Sequence, residues 1–301
     1  MKKSKLIVRL KGGLGNQLFC YATARRLALY SNAELILDDV TGFKYDYQYK
    51  RKYALDPFNI AARKVTYWER LEPFGRLRRL LKKKIAARKP LTSKRYIVQQ
   101  GVSFQEELLT LHLQSGYTYF DGFGQSERYF SDIRDVLRED LCLTVPADNE
   151  VLKYQARIMA VESVAIHMRW FDNNIISSAN VPIKYYENAI KIMKQKLLQP
   201  HFFIFSDNLS LASKLLSPYF SHHEFTIVMH DKNADPIIDF FLMSKCKNFV
   251  IGNSTYAWWA AWLAEIKGAS IIISPQLNVD ANKNITAWGF DYLIPDRWKI
   301  L

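Results

Sequence analysis

The chain has 301 residues, 49% of them hydrophobic and 24% charged, a composition that supports a packed core and excludes a disordered or fibrous protein. At this length a single closed barrel and two ordinary domains are both open, and two domains fit the usual domain size better. The 42 Lys and Arg against 29 Asp and Glu leave a net charge of +13, which points to an anionic partner: nucleic acid, a membrane surface or a phosphorylated small molecule.

That excess is concentrated. Residues 76–95 hold ten basic side chains and no acidic one, and the remainder is nearly balanced. A face for duplex DNA would spread its charge more widely, so nucleic acid is not expected as a partner. The longest strongly apolar stretch, Tyr256 to Ala264, runs about nine residues against the roughly twenty that a spanning helix needs, and the apolar core after MKKSK is too short for a secretory signal. Cys20, Cys142 and Cys246 form an odd set without CxxC spacing, which favours neither zinc nor a disulfide framework. A cytoplasmic, reduced protein is the expectation.

Taken in chain order, Leu6 to Leu10 reads as a strand, Gly12 to Gly15 as a turn, Gln17 to Tyr30 as a helix and Ala33 to Leu37 as the next strand. Residues 40–130 are Tyr-rich, basic and turn-prone, an irregular part of the same domain. Within the basic run, Leu77, Leu80, Leu81 and Ile85 share one helical face. Two readings are open: a surface-binding amphipathic helix, or a solvated helix packing its leucine stripe on the core.

The second half alternates more legibly. Helices are expected at Asn149 to Ala160, Lys184 to Leu197, Leu209 to Leu215, Pro236 to Cys246 and Tyr256 to Ile266. Strands are expected at Ser163 to His167, Phe202 to Phe205, Thr226 to Met229, Phe249 to Ile251 and Ser270 to Ile273. Alternation of this kind implies parallel sheets covered on both faces. Two domains, 1–146 and 147–301, are expected, with function in the loops beyond the carboxyl ends of the strands.

Three such loops carry chemistry. Gly12-Gly13-Leu14-Gly15-Asn16 joins a strand to a helix. Its glycines let backbone N–H groups approach a phosphate at the positive end of the helix, and Asn16 can donate to an anionic oxygen there; a tight turn without a ligand reads equally well. Ile166-His167-Met168-Arg169 runs an apolar strand into an imidazole and a guanidinium, the latter suited to a diphosphate. A structural ion pair between Arg169 and Asp172 is the competing reading. Gly252-Asn253-Ser254-Thr255 opens the helix YAWWAAWLA, either as ordinary caps or as a phosphate site. Trp258, Trp259 and Trp262 fall at helical spacing and are expected in the core. All three loops suit a diphosphate. No GK[ST] follows the first loop and no Asp-x-Asp pair offers a divalent metal, so the chain's own donors must neutralise it.

These loops resemble the bacterial α-1,2-fucosyltransferases of glycosyltransferase family 11. GGLGNQLFCYATARRLAL is similar to the family's opening, and GFGQSERYF (122–130) to its mid-chain GYxQSExYF. Ile166 to Asp172 resembles HxRRGD in part, Phe203 to Asn208 resembles FIFSDD, and LMSKCKNFVIGNSTYAWWAAWL (242–263) is close to the family's last motif. The resemblance implies a GT-B architecture of two Rossmann-like domains with a cleft between them, and metal-independent, inverting transfer of L-fucose from GDP-β-L-fucose to O2 of a terminal β-galactoside. It implies no cofactor and no metal. The acceptor would sit on the N-terminal side and could be a lipid-linked oligosaccharide, as in O-antigen synthesis. On the donor it implies Arg169, Asn16, Asp207, Ser254 and Thr255, with backbone donors from Gly13, Gly15 and Asn253, and His167 and Asp239 near guanine. Arg169, Asn16 and Asp172 are the expected catalytic set, Asp172 as general base because it lies three residues past Arg169. Two departures stand out: Trp170-Phe171 replaces Arg-Gly, and Asn208 replaces the second Asp of FSDD. The altered element leaves a non-catalytic sugar-nucleotide or glycan-binding protein, and a fucosyltransferase of other linkage, as alternatives. The 76–95 run is expected to touch anionic lipid at the cytoplasmic membrane face.

Overall fold

The computed structural model describes residues 3–99, 101–143, 148–171, 177, 179–229, 236–266, 271–277 and 290–301. The chain forms two compact units, one comprising Met1–Cys142 with Phe290–Leu293, the other Leu143–Gly289 with Ile294–Leu301. The sequence expectation divides the chain at 146/147. The units divide four residues earlier, and a short return of the chain packs rings on the first unit: Tyr292 meets Phe104 edge-on at 5.8 Å and Phe290 meets Phe123 at 6.3 Å.

The first unit begins with β1 (Ser4–Arg9), α1 (Leu14–Tyr30) and β2 (Glu34–Asp38). Apart from Gly15 near its start, α1 has neither glycine nor proline and is buried on most sides, from Gln17 to Ala28. The region that reads as irregular holds β3 (Arg63–Lys64), α2 (Gly75–Ala87), β4 (Tyr96–Val98) and β5 (Gly116–Asp121), followed by α3 (Arg134–Asp140). β5 is central, parallel to β1 from Ser4↔Gly116 to Val8↔Phe120. The sheet runs β3-β2-β1-β5-β4, so strand order reverses between β1 and β5.

The second unit contains α4 (Asn149–Ala160), β6 (Ser163–Met168), α5 (Ile183–Lys196), β7 (His201–Ser206), α6 (Leu209–Leu216), β8 (Phe225–Ile227), α7 (Pro236–Met243), β9 (Asn248–Val250), α8 (Thr255–Ile266), β10 (Ile272–Ser274) and β11 (Lys299–Ile300). β6 is buried at all six positions, the continuous apolar run expected of a central parallel strand covered on both faces. The order is β11-β10-β9-β6-β7-β8, which reverses between β6 and β9. The fold class is therefore the expected one, α/β with two Rossmann-like parallel sheets. Trp258, Trp259 and Trp262 are fully buried, the core role that their spacing suggests.

In an open parallel sheet the loops on either side of the reversal splay apart and leave a crevice beyond the strand ends. Each unit thus has one position where topology alone favours a ligand: after β1 and β5 in the first, after β6 and β9 in the second.

Candidate functional site

In the second unit the crevice is framed by the loop after β6 and the loop after β9. Gly252 lets them approach: a Cβ there would lie 2.9 Å from Tyr186 Oη and 3.2 Å from the His167 carbonyl oxygen. Tyr186 Oη donates to that same carbonyl at 3.3 Å, and Tyr185 Oη donates to the Ile251 carbonyl at 2.7 Å. Two tyrosines of α5 thus fasten both loops from behind.

His167, near the end of β6, is buried, and its Nδ1 has no partner among the described residues. Burial, with the Arg169 charge adding to it, holds the imidazole down to about 3, so the ring is neutral across physiological pH. Arg169, just beyond the strand, sends Nη1 to Asp207 Oδ2 at 2.8 Å, and Asp207 Oδ1 accepts from the Trp170 amide at 3.1 Å. One carboxylate therefore fixes both the guanidinium and the backbone behind it. Both side chains of this pair are about a third exposed, a setting in which an ion pair contributes roughly 0–1 kcal/mol. Its effect is on position more than on stability. A guanidinium carries several N–H donors in a rigid fork, so a partner on Nη1 still lets it hold a second anion.

Arg169 pairs with Asp207; Asp172, its partner in the competing sequence reading and the expected general base, lies outside the described residues. Trp170 packs against the hydrophobic core of the unit, and the Phe171 amide donates to Asn180 Oδ1 at 2.8 Å. The segment in which the family has a glycine is here tied at two successive amides. Asn208, the other departure, caps α6 by accepting from Leu211 N at 3.1 Å. That role needs an oxygen and no charge, so Asn serves as well as Asp.

On the far side of the crevice, Asn253 is buried. Its Nδ2 donates to the Ala179 carbonyl at 3.1 Å, and its Oδ1 has no partner among the described residues. Ser254 accepts the first helical bond of α8, from Trp258 N at 3.0 Å, and Thr255 opens the helix, buried. The positive end of α8 thus faces the same crevice as Arg169. Asp239 lies on the neighbouring helix α7, one residue before Phe240. The Tyr256 ring links that helix to the site, 5.2 Å from the Phe240 ring and 5.7 Å from the His167 ring. Buried polar atoms without partners are uncommon; here two of them, on His167 and Asn253, flank one crevice.

The first unit has its own anion-ready turn. Gly13 is the N-cap of α1, with no side-chain cap on the helix, and Gly15 is buried one residue inside it. Gly12 adopts φ +75°, and a Cβ there would meet Asn16 Nδ2 at 2.6 Å, so only glycine fits. Asn16 Oδ1 accepts from Gln125 Nε2 at 2.7 Å, across the strand-order reversal from the loop after β5. Gln17 Nε2 donates to the Gly12 and Lys52 carbonyls at 3.0 and 2.8 Å. Gln17, Gln125, the close-approach role of Gly252 and the pairing of Asp207 with Arg169 are visible only in the structure. For Gln125 the sequence signal is the likeness of GFGQSERYF (122–130) to the mid-chain motif of the family. Asn16, Gly13 and Gly15 belong to the first unit; His167, Arg169, Asp207, Asp239, Asn253, Ser254 and Thr255 belong to the second.

Of the two readings of the basic run, the structure excludes the one in which the leucine stripe packs on the core. α2 presents Arg79 and Ala86 inward, both buried, while Leu77, Leu80, Leu81 and Ile85 are 50–59% exposed. The leucine stripe does not pack on the core. The surface beneath the helix carries the stacked Tyr96 and Tyr119 rings and the buried Asp121. These attract cations: Lys82 lies 5.4 Å over Tyr119, Lys83 5.4 Å over Tyr96, and Lys83 Nζ reaches Asp121 at 2.7 Å. Arg9 and Lys11 also pair with Asp121, at 3.3 and 2.9 Å.

Each of the two parallel α/β units thus has a helix N-terminus at its strand-end crevice, joined by an arginine in the second and by a glycine turn in the first, an arrangement suited to an anionic ligand. Residues 5–289 match the model of a protein family described as glycosyl transferase family 11. The chain belongs to that family and is a glycosyltransferase. It is 29% identical over 266 residues to an alpha-1,2-colitosyltransferase of Escherichia coli, covering 86% of this chain and 88% of that one. It is 28% identical over 288 residues to the O-antigen biosynthesis glycosyltransferase WbnK of Escherichia coli, covering 89% and 92%. Among solved structures, the fucosyltransferase NodZ from Bradyrhizobium matches with a TM-score of 0.48 at 15% identity, over 87% of this chain and 94% of that one.

Proposed function

We propose that the protein transfers L-fucose from GDP-β-L-fucose to O2 of a terminal β-galactoside with inversion, as a galactoside 2-α-L-fucosyltransferase of surface-glycan or O-antigen synthesis. The observation that carries this is the grouping of Arg169, its partner Asp207, the neutral His167 and the α8 N-terminus around one crevice. The relatives' names support an α-1,2 linkage and O-antigen glycans. They also make the 3-deoxy sugar colitose the second donor to test.

In this reading the acceptor hydroxyl attacks C1, the bond from C1 to the diphosphate oxygen breaks, and GDP departs with the electron pair. Arg169 and the backbone N–H groups at the start of α8 stabilise the growing negative charge. Asp172 takes the hydroxyl proton, an assignment that rests on its sequence position alone. His167 and Asp239 contact guanine, and the unpartnered Nδ1 of His167 offers the base a hydrogen bond. The chain's own donors do the work a divalent ion does elsewhere, so transfer persists in EDTA. No helix among the described residues is long and apolar enough to cross a membrane, and the exposed cationic and apolar surface of α2 supports peripheral contact with anionic lipid.

The test is turnover with GDP-fucose and GDP-colitose in EDTA, each with a β-galactoside. Transfer from either, or from both with one preferred, identifies the donor. GDP binding with neither transfer nor donor hydrolysis would replace this reading with a non-catalytic binder.

A further inference from the structure

A cavity of about 410 Å³ in the first unit lies beside α2, lined by Arg9, Arg76, Arg79 and Lys83 with Tyr45 and Tyr96. No residue of the Gly12–Asn16 turn and no Gln125 lines it, so it is separate from the crevice after β1 and β5. Its volume suits a small ligand. Four of its lining residues are cations. The nearby carboxylate Asp121 is shared by Arg9, Lys11 and Lys83, which leaves the group strongly positive. Arg79 Nη1 donates to the Arg70 carbonyl at 2.9 Å, and the Arg76 guanidinium lies 5.4 Å from the Tyr45 ring. Both forks are therefore set in place. Two or more arginines converging on one cavity match the oxygens of a phosphate or diphosphate.

The cavity is continuous with the exposed stripe. Leu80 lines it and is also an exposed member of the stripe with Leu77, Leu81 and Ile85. Phe74, 72% exposed, is the N-cap residue of the same helix. Arg78 and Lys82 follow the stripe along its other flank at helical spacing. Apolar side chains facing water, bordered by cations, are the arrangement of a helix that lies in a bilayer interface.

We propose that α2 and this cavity together form a binding site for a membrane amphiphile that carries a phosphate or diphosphate: its anionic group in the cavity, its chain along the Leu77–Leu81–Ile85 face. This rests on the reading of the chain as a glycosyltransferase of surface glycans, and it gives the acceptor a chemical class, an oligosaccharide carried on a lipid diphosphate.

The test is flotation of the full chain with phosphatidylcholine vesicles that contain either a long-chain polyprenyl diphosphate or phosphatidylglycerol, at matched surface charge. The expected result is at least tenfold tighter binding to the polyprenyl diphosphate, competed by inorganic pyrophosphate. Arg76→Gln with Lys83→Gln removes most of that preference. Arg76→Gln alone, at an exposed position, reduces it in a chain whose fold is undisturbed. Leu77→Ser with Leu81→Ser weakens binding to both vesicles and leaves pyrophosphate binding in place. Equal binding to the two vesicle types would mean attraction to lipid headgroups only and would overturn the proposal, as would a preference that survives both cavity variants. GDP binding and transfer to a soluble galactoside, measured on the unaltered protein, report on the donor reading separately; their failure leaves the vesicle result to stand or fall alone.

Discussion

In the proposed reaction Arg169 carries the charge chemistry of the second unit, and its setting explains how one arginine can serve. Asp207 holds Nη1 at 2.8 Å and the next backbone amide at 3.1 Å, so the fork is aimed before any anion arrives, and electrostatic stabilisation of this kind depends on such preorganisation. Arg169→Ala is expected to lower kcat about a hundredfold or more with thermal unfolding unchanged within a degree or two, because the pair it breaks is solvent-screened. Near-normal turnover would remove Arg169 from the donor site. His167 gives a second expectation at this scale. Burial holds its imidazole down to about 3, so its ring signal in NMR should remain that of the neutral form from pH 8 down to pH 4; a midpoint near the ordinary value of 6.5 would contradict a buried ring. The sequence singles out both residues but does not show that Asp207 is a partner of Arg169. Asp172 is near in the chain, whereas Asp207 is near through the pairing of β6 with β7, in which Met168 stands opposite Ser206. That relation is non-local and has no trace in the spacing.

Among the elements, α2 is the one for which the sequence leaves two readings open, and the exposure of its leucine stripe decides against the core-packed one. An amphipathic helix can turn its apolar face inward or outward, and the pattern along the helix cannot choose. What decides here is the surface it meets: stacked Tyr96 and Tyr119 with Asp121 below. Burial alone would raise the Asp121 carboxyl, but Lys11, Lys83 and Arg9 outweigh it and hold it well below the usual carboxylate range. Asp121→Asn removes the one anion shared by three cations. It is expected to cost about 2 kcal/mol of unfolding free energy, below the value for a fully buried pair because the cations keep some exposure to water. Chemical denaturation measures this, and a cost under about 0.5 kcal/mol would show that the cluster does not anchor α2. The element β5 was missed for a related reason: Gly-Tyr-Thr-Tyr-Phe-Asp lacks the aliphatic run that marked β1 and β6, and its aromatic residues read equally well as loop.

For the whole molecule, the α/β class and most strands and helices of the second unit are legible, because α/β alternation is a local pattern and the chemistry-bearing loops follow directly from it; the strand orders and their reversals are non-local and are seen only in the structure. Less legible was the mortar between elements: Gln125 against Asn16, Tyr185 and Tyr186 behind the second crevice, and the return of Phe290–Leu293 to the first unit. Acid should weaken the ion-pair supports of the first unit. Glu69 is held down to about 2, chiefly by its bond from Arg63, and Asp121 lies lower still. Both carboxylates titrate lower in the folded than in the unfolded chain, so their stabilisation is complete above the unfolded values of 4.5 and 3.8. It is lost as pH falls through that range towards 2. Unfolding free energy should therefore be flat from pH 7 to about 5 with respect to these groups and decline below, and the decline should shrink in Asp121→Asn.

The central claim, that the second-unit crevice activates a GDP-linked 6-deoxy sugar for transfer to O2 of galactose, is tested most directly by the product itself. The protein is mixed with GDP-fucose and a panel of β-galactosides, with Arg169→Ala alongside, and the products are read by mass and by NMR of the new linkage. The account predicts an α-1,2-fucosylated galactoside from the unaltered protein and none from the variant. A product of another linkage, or equal product from both proteins, would contradict it.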